Sequence, residues 1–170
     1  MIDTMLFLKN SRKKMAALVA SVVILLGGSQ GATASSATTT FQVTASVVSS
    51  CTISATNLAF GGYTLAQLDA QSSLTVTCTN GAAYKVALSA GNGSGATVAA
   101  RKMSSGSNTL TYSLYQDSAR STVWGATAAD SASGTGNGAA QTIVVYGRIP
   151  ANQSSPIGSY TDTITATVNF

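Results

Sequence analysis

The chain has 170 residues, of which 8% are charged; its five acidic side chains are all aspartate, and histidine is absent. That composition excludes Ser-His-Asp and Cys-His catalysis, and with two cysteines it leaves no ligand set for a structural zinc. The net charge of +4 sits mostly in Lys9, Arg12, Lys13 and Lys14, so residues 35–170 are close to neutral and offer no nucleic-acid footprint, the adjacent Arg101 and Lys102 included.

The first element in chain order is a leader. Basic residues precede the apolar run Met15–Gly28, and Ala32-Thr33-Ala34 follows as a small-residue cleavage site. That order predicts a secretory signal peptide over 1–34; about 14 apolar residues fall short of the roughly 20 that span a bilayer. Export places Cys51 and Cys78 in an oxidising compartment, where the only two cysteines of the chain are expected to pair.

Beyond residue 35 the pattern is of short alternating runs broken by Gly, Asn and Ser. Strands are predicted over 39–48, 51–55, 72–79, 83–90, 109–116, 139–149 and 159–170, with a helical turn at most over 65–70. Many short strands with no sustained helical period imply an all-β sandwich. Both outer runs are amphipathic: Phe41, Val43, Ala45 and Val47 share one face of the first, and Ile164, Ala166, Val168 and Phe170 share one face of the last. These two strands could pair with each other or with the body and close an ordinary sandwich, or they could each await another partner.

Catalytic chemistry finds little support. The aspartates at 69, 117, 130 and 162 have no calcium-loop spacing. Asp117 and Asp162 are the pair that could face a glycosidic bond, yet Asp117 in "DSAR" reads more simply as a turn cap. Gly91, Gly93 and Gly95 lack the Gly-Lys-Ser/Thr ending of a phosphate loop. A Ser-Lys pair on Lys85 or Lys102 has no pattern behind it. No enzyme, metal or cofactor is expected. Trp124 and the six tyrosines read as core and sheet residues rather than a binding platform.

Several segments carry a resemblance: "VVSSCTISATNLAFGGY" (47–63), "LTVTCTNGAAYKVALSAG" (74–91), "LTYSLYQDSARSTVWG" (110–125), "GAAQTIVVYGRIPANQ" (138–153) and "GSYTDTITATVNF" (158–170). Together they resemble the spore coat protein U domain family, which includes the subunits of archaic, Csu-type chaperone–usher pili. The resemblance implies an incomplete immunoglobulin-like sandwich lacking its final strand, with a 35–48 donor segment ahead of a 49–170 pilin domain. It implies a groove edged by Ile164, Ala166, Val168 and Phe170, filled first by a periplasmic pilus chaperone. At an outer-membrane usher another subunit's donor strand, carrying Phe41, Val43, Ala45 and Val47, would replace the chaperone strand. It also places a Cys51–Cys78 bridge between the first two strands of the body, beside that groove. The implied role is a structural subunit of a cell-surface fimbrium for adhesion and biofilm formation, assembled as a polymer of like subunits. Two other readings stay open: a secreted coat or matrix protein whose own N-terminal strand fills the groove, and a tip adhesin.

Overall fold

The computed structural model describes Gly31 and residues 33–170; the leader expected over 1–34 otherwise lies outside the described residues. The chain divides into two units, Met1–Val43 and Thr44–Phe170. Described residues of the first are exposed and form neither helix nor strand.

The second unit holds eight strands: β1 (Cys51–Ala55), β2 (Leu68–Cys78), β3 (Ala83–Leu88), β4 (Arg101–Ser105), β5 (Asn108–Tyr115), β6 (Ala132–Thr135), β7 (Ala140–Ile149) and β8 (Ala166–Asn169). They form a five-stranded sheet in the order β1-β2-β7-β5-β4 and a three-stranded sheet in the order β6-β3-β8. Every pairing is antiparallel. Alternation explains why the sheets stack. Leu74, Val76 and Cys78 of β2, Leu110, Tyr112 and Leu114 of β5, and Val145 and Ile149 of β7 turn inward to meet Tyr84, Val86 and Leu88 of β3. The all-β sandwich expected from the sequence is therefore the fold.

Trp124 sits at the centre, fully buried, and its indole Nε1 donates to the Val86 carbonyl at 2.7 Å. The one inward position of β7 without a side chain is Gly147. A Cβ there would stand 2.7 Å from the Phe60 ring and 3.0 Å from Leu58, closer than carbon atoms pack. The missing side chain thus admits the 58–60 segment to the core.

Four expectations are corrected. Residues 39–48 form no strand, because alternation without a ladder partner leaves extended backbone unpaired. The last strand spans 166–169 rather than 159–170; ahead of it, the Thr161 main chain pairs only with Ser104, at 2.8 and 3.1 Å. Residues 65–70 give no helical turn: Leu65 sits in a bend at φ 64° and Leu68 already opens β2. Finally, β4 and β6 were not expected. "RKMSS" and "ASGT" lack apolar alternation and become strands by hydrogen bonding to β5 and β3.

The cysteines are joined, Cys51 to Cys78, across the first residue pair of the β1–β2 ladder. Their separation of 27 residues gives about 3–4 kcal/mol of stabilisation by loop-closure entropy. Urea unfolding with and without reductant is expected to show a loss of that size. Coincident midpoints would show that the bridge adds nothing.

Candidate functional site

One flank of the sandwich is open. β1 ends the five-stranded sheet there and β8 ends the three-stranded one, so among the described residues neither has a hydrogen-bonded neighbour on its outer side. The ladder fixes which backbone groups are free. Thr79 N donates to Ser50 O and Thr56 N to Ser73 O, both at 2.9 Å, so Cys51, Ile53 and Ala55 occupy the non-bonded pairs of β1 and aim their N–H and C=O groups outward. Ser89 N donates to Thr165 O at 3.0 Å; by the same alternation Ala166 and Val168 aim theirs outward from β8. The side chains of Cys51, Ile53, Ala166 and Val168 pack against the core. Free backbone and inward side chains therefore belong to the same residues.

Between the two edges lies a cavity of about 450 Å³. Its floor is Leu74, Leu88, Tyr112, Leu114 and Val145; its walls are Ala55, Asn57, Leu58 and Phe60 on the β1 side and Tyr160, Ile164 and Ala166 on the other. An apolar channel flanked by unpaired backbone fits an extended chain, which satisfies the edges through its main chain and fills the channel with alternate side chains.

The polar end of the channel is organised by Asp162. Its carboxylate accepts from Tyr112 Oη and Asn92 N, both at 2.8 Å, and from Thr163 N at 2.7 Å. Burial, reinforced by the bond to Asp162, pushes the Tyr112 phenol far above its ordinary value and keeps it protonated. Behind Tyr112 lies Arg101, wholly buried; desolvation lowers its pKa.

A second charged group lies on the opposite face of the large sheet. Asp69 binds Arg148 through two bonds of 2.8 and 2.9 Å, with Arg120 at 3.5 Å. The Arg148 bond, ahead of all other causes, holds the Asp69 carboxyl below its usual range. Asp117 caps its turn, and bonds first from Thr122 N and then Ser121 N lower its pKa to about 2. These depressed carboxylates stabilise the fold above about pH 4, and the contribution is lost as pH falls through their lowered values. Tyr112 works in the other direction: its raised pKa stabilises the fold below about pH 10 and the contribution fades above it. With no histidine or glutamate and both cysteines bridged, thermal melts are expected to give a flat plateau between these limits. A step in melting temperature near pH 6 to 7 would contradict this.

The expected site residues fall in different places. Ile164 and Ala166 line the cavity, and Val168 packs on the core farther along β8. Phe170 is 59% exposed and lies in a shallow depression beside Tyr84, Lys85 and Gly134. Phe41, Val43, Ala45 and Val47 are all exposed and outside any ladder, Val47 at 88%. Lys85 and Lys102 donate to the carbonyls of Ala128 and Ser94. Asp117 and Asp162 share no partner. Sequence reasoning missed Arg101, which it weighed only as half of a basic pair with Lys102, and the roles of Leu58 and Phe60, for which the unoccupied inward place at Gly147 was the available signal.

Comparison with known proteins agrees with this architecture. A family model described as the Spore Coat Protein U domain matches residues 37–167. Among curated proteins none matches. Thirteen chains of solved structures match. One belongs to the crystal structure of the CsuC-CsuE chaperone-tip adhesion subunit pre-assembly complex from archaic chaperone-usher Csu pili of Acinetobacter baumannii. It is 25% identical with a TM-score of 0.57, and the match covers 73% of the present chain and 40% of that one. The present chain thus spans about two fifths of the chain it matches. With most of its length matched by the family model, the chain belongs to the Spore Coat Protein U domain family, a structural rather than an enzymatic one.

Proposed function

We propose that this chain is a structural subunit of a chaperone–usher pilus, polymerised by donor-strand exchange and exported through the periplasm to a surface fimbrium used in adhesion and biofilm formation. The observation that carries it is the open flank, where the free edges of β1 and β8 face one apolar cavity. An edge of this kind templates pairing with another chain. The occupant is residues 39–48 of a second copy, whose Phe41, Val43, Ala45 and Val47 alternate as the channel requires. Burying each large side chain contributes about 1.5–3 kcal/mol, and the head-to-tail contact does not close on itself, so it propagates a fibre. Before assembly a periplasmic chaperone covers the same edge, and the outer-membrane usher is where the exchange occurs.

Deletion of residues 38–47 tests the proposal. The deleted chain should run as monomer on unboiled gels where the full chain gives a polymer ladder. Long polymers from the deleted chain would sink it. A full chain that stays a soluble monomer, with 39–48 protected from hydrogen exchange, would mean that the segment fills its own groove, as in a coat or matrix protein.

A further inference from the structure

Arg101 opens β4 and is 0% exposed, yet among the described residues no carboxylate pairs with it. Its guanidinium is spent on main-chain carbonyls: Nε donates to Ser89 O at 2.9 Å, Nη1 to Val98 O at 2.7 Å, and Nη2 to Leu88 O at 3.3 Å and Trp124 O at 2.7 Å. A buried cation with no carboxylate in contact, offset only by the longer-range attraction of Asp162 and Asp130, is a costly way to fill space. What the guanidinium does is redirect one carbonyl.

In a regular antiparallel pair, Ser89 O would accept from Thr165 N. Here that carbonyl is turned to Arg101, and the Ser89 hydroxyl takes its place, accepting from Thr165 N at 2.9 Å and from Gly91 N at 3.3 Å. Ser89 N still donates to Thr165 O at 3.0 Å. The regular β3–β8 register runs from Lys85↔Asn169 to Leu88↔Ala166 and stops there. Thr165 N is therefore held by a side chain in place of a ladder carbonyl, while Thr165 O keeps its ladder bond; the residue lies directly between Ile164 and Ala166, two of the residues that wall the cavity.

We infer that Arg101 and Ser89 are positioning residues for strand acceptance: they fix where β8 begins and so set its open edge at Ile164–Ala166 for an incoming strand. This rests on the pilus-subunit reading. Neither residue lines the cavity; both act through Thr165.

The test uses the full chain and a fluorescent synthetic peptide of residues 37–49, with the rate of peptide release measured by anisotropy and the fold followed by Trp124 fluorescence and circular dichroism. Ser89→Ala keeps the Arg101 bond to the carbonyl and loses both hydroxyl bonds. It should fold normally and release the peptide about tenfold faster, and Ser89→Thr, which keeps the hydroxyl, should restore the slow rate. Arg101→Lys, with three donors for four carbonyls, should accelerate release further; if it does not fold, the Ser89 pair of variants still decides. A folded Ser89→Ala chain that releases peptide at the wild-type rate overturns the inference alone. A wild-type chain that never takes up the peptide overturns the pilus-subunit reading, and this inference with it.

Discussion

A chain carrying Ala166→Asp is expected to fold, form its disulfide and yet accept no donor strand. Ala166 lies on the cavity wall, and its backbone faces the open edge. In the empty groove an aspartate there reaches water. Once a donor covers the channel, the carboxylate is buried without a partner at a cost of several kcal/mol. Each 1.4 kcal/mol is tenfold in affinity, so acceptance should fall by about 100-fold or more. The variant keeps Phe41, Val43, Ala45 and Val47 intact and should still donate. Mixed with the chain lacking residues 38–47, which can accept but not donate, it should give heterodimers and nothing longer. Ladders from the Ala166→Asp chain alone would place the accepting surface elsewhere.

The second large effect concerns the core. Trp124→Ala removes the largest fully buried side chain and leaves the Val86 carbonyl without its indole donor. Large aromatic truncations of this kind cost about 3–5 kcal/mol, a substantial part of the roughly 5–15 kcal/mol that holds a domain folded. Denaturant unfolding followed by circular dichroism should show the loss, since the variant has no other tryptophan to report on it. A loss below about 1 kcal/mol would mean the centre of the sandwich repacks. Because Trp124 touches β3 through Val86 and supports the Leu88 end through Arg101, reduced donor acceptance is expected to accompany it.

How far the sequence disclosed this arrangement can be traced element by element. β2, β3, β5 and β7 were readable because their inward residues are large and alternate: Leu74, Val76 and Cys78, or Leu110, Tyr112 and Leu114. β4 and β6 were not, since their strand character comes from neighbours across the ladder and not from their own side chains. The alternation holds from Tyr160 to Val168 and fails at the exposed Phe170, and with Thr165 N tied to the Ser89 hydroxyl and Thr161 to β4, only four residues join the small sheet. The resemblance pointed to Ile164, Ala166, Val168 and Phe170; the first two line the cavity, Val168 packs on the core beyond it, and Phe170 is exposed. Arg101 was illegible for a general reason. Arginine is almost never fully buried, and nothing in "VAARKMSS" distinguishes a guanidinium spent on carbonyls from one in solvent.

The bridge between Cys51 and Cys78 also fixes a mechanical path. Any pull on the segment just before β1 arrives at Cys51, the first residue of that strand and a member of its first ladder pair. Without a covalent link, tension would peel β1 from β2 one hydrogen bond at a time, starting from the loaded end. With it, the load passes through sulfur into Cys78 at the far end of β2, a strand paired with β7 over ten residue pairs. Those bonds must then yield together in shear. The thin edge strand beside the open flank is spared the tension that enters through its own end.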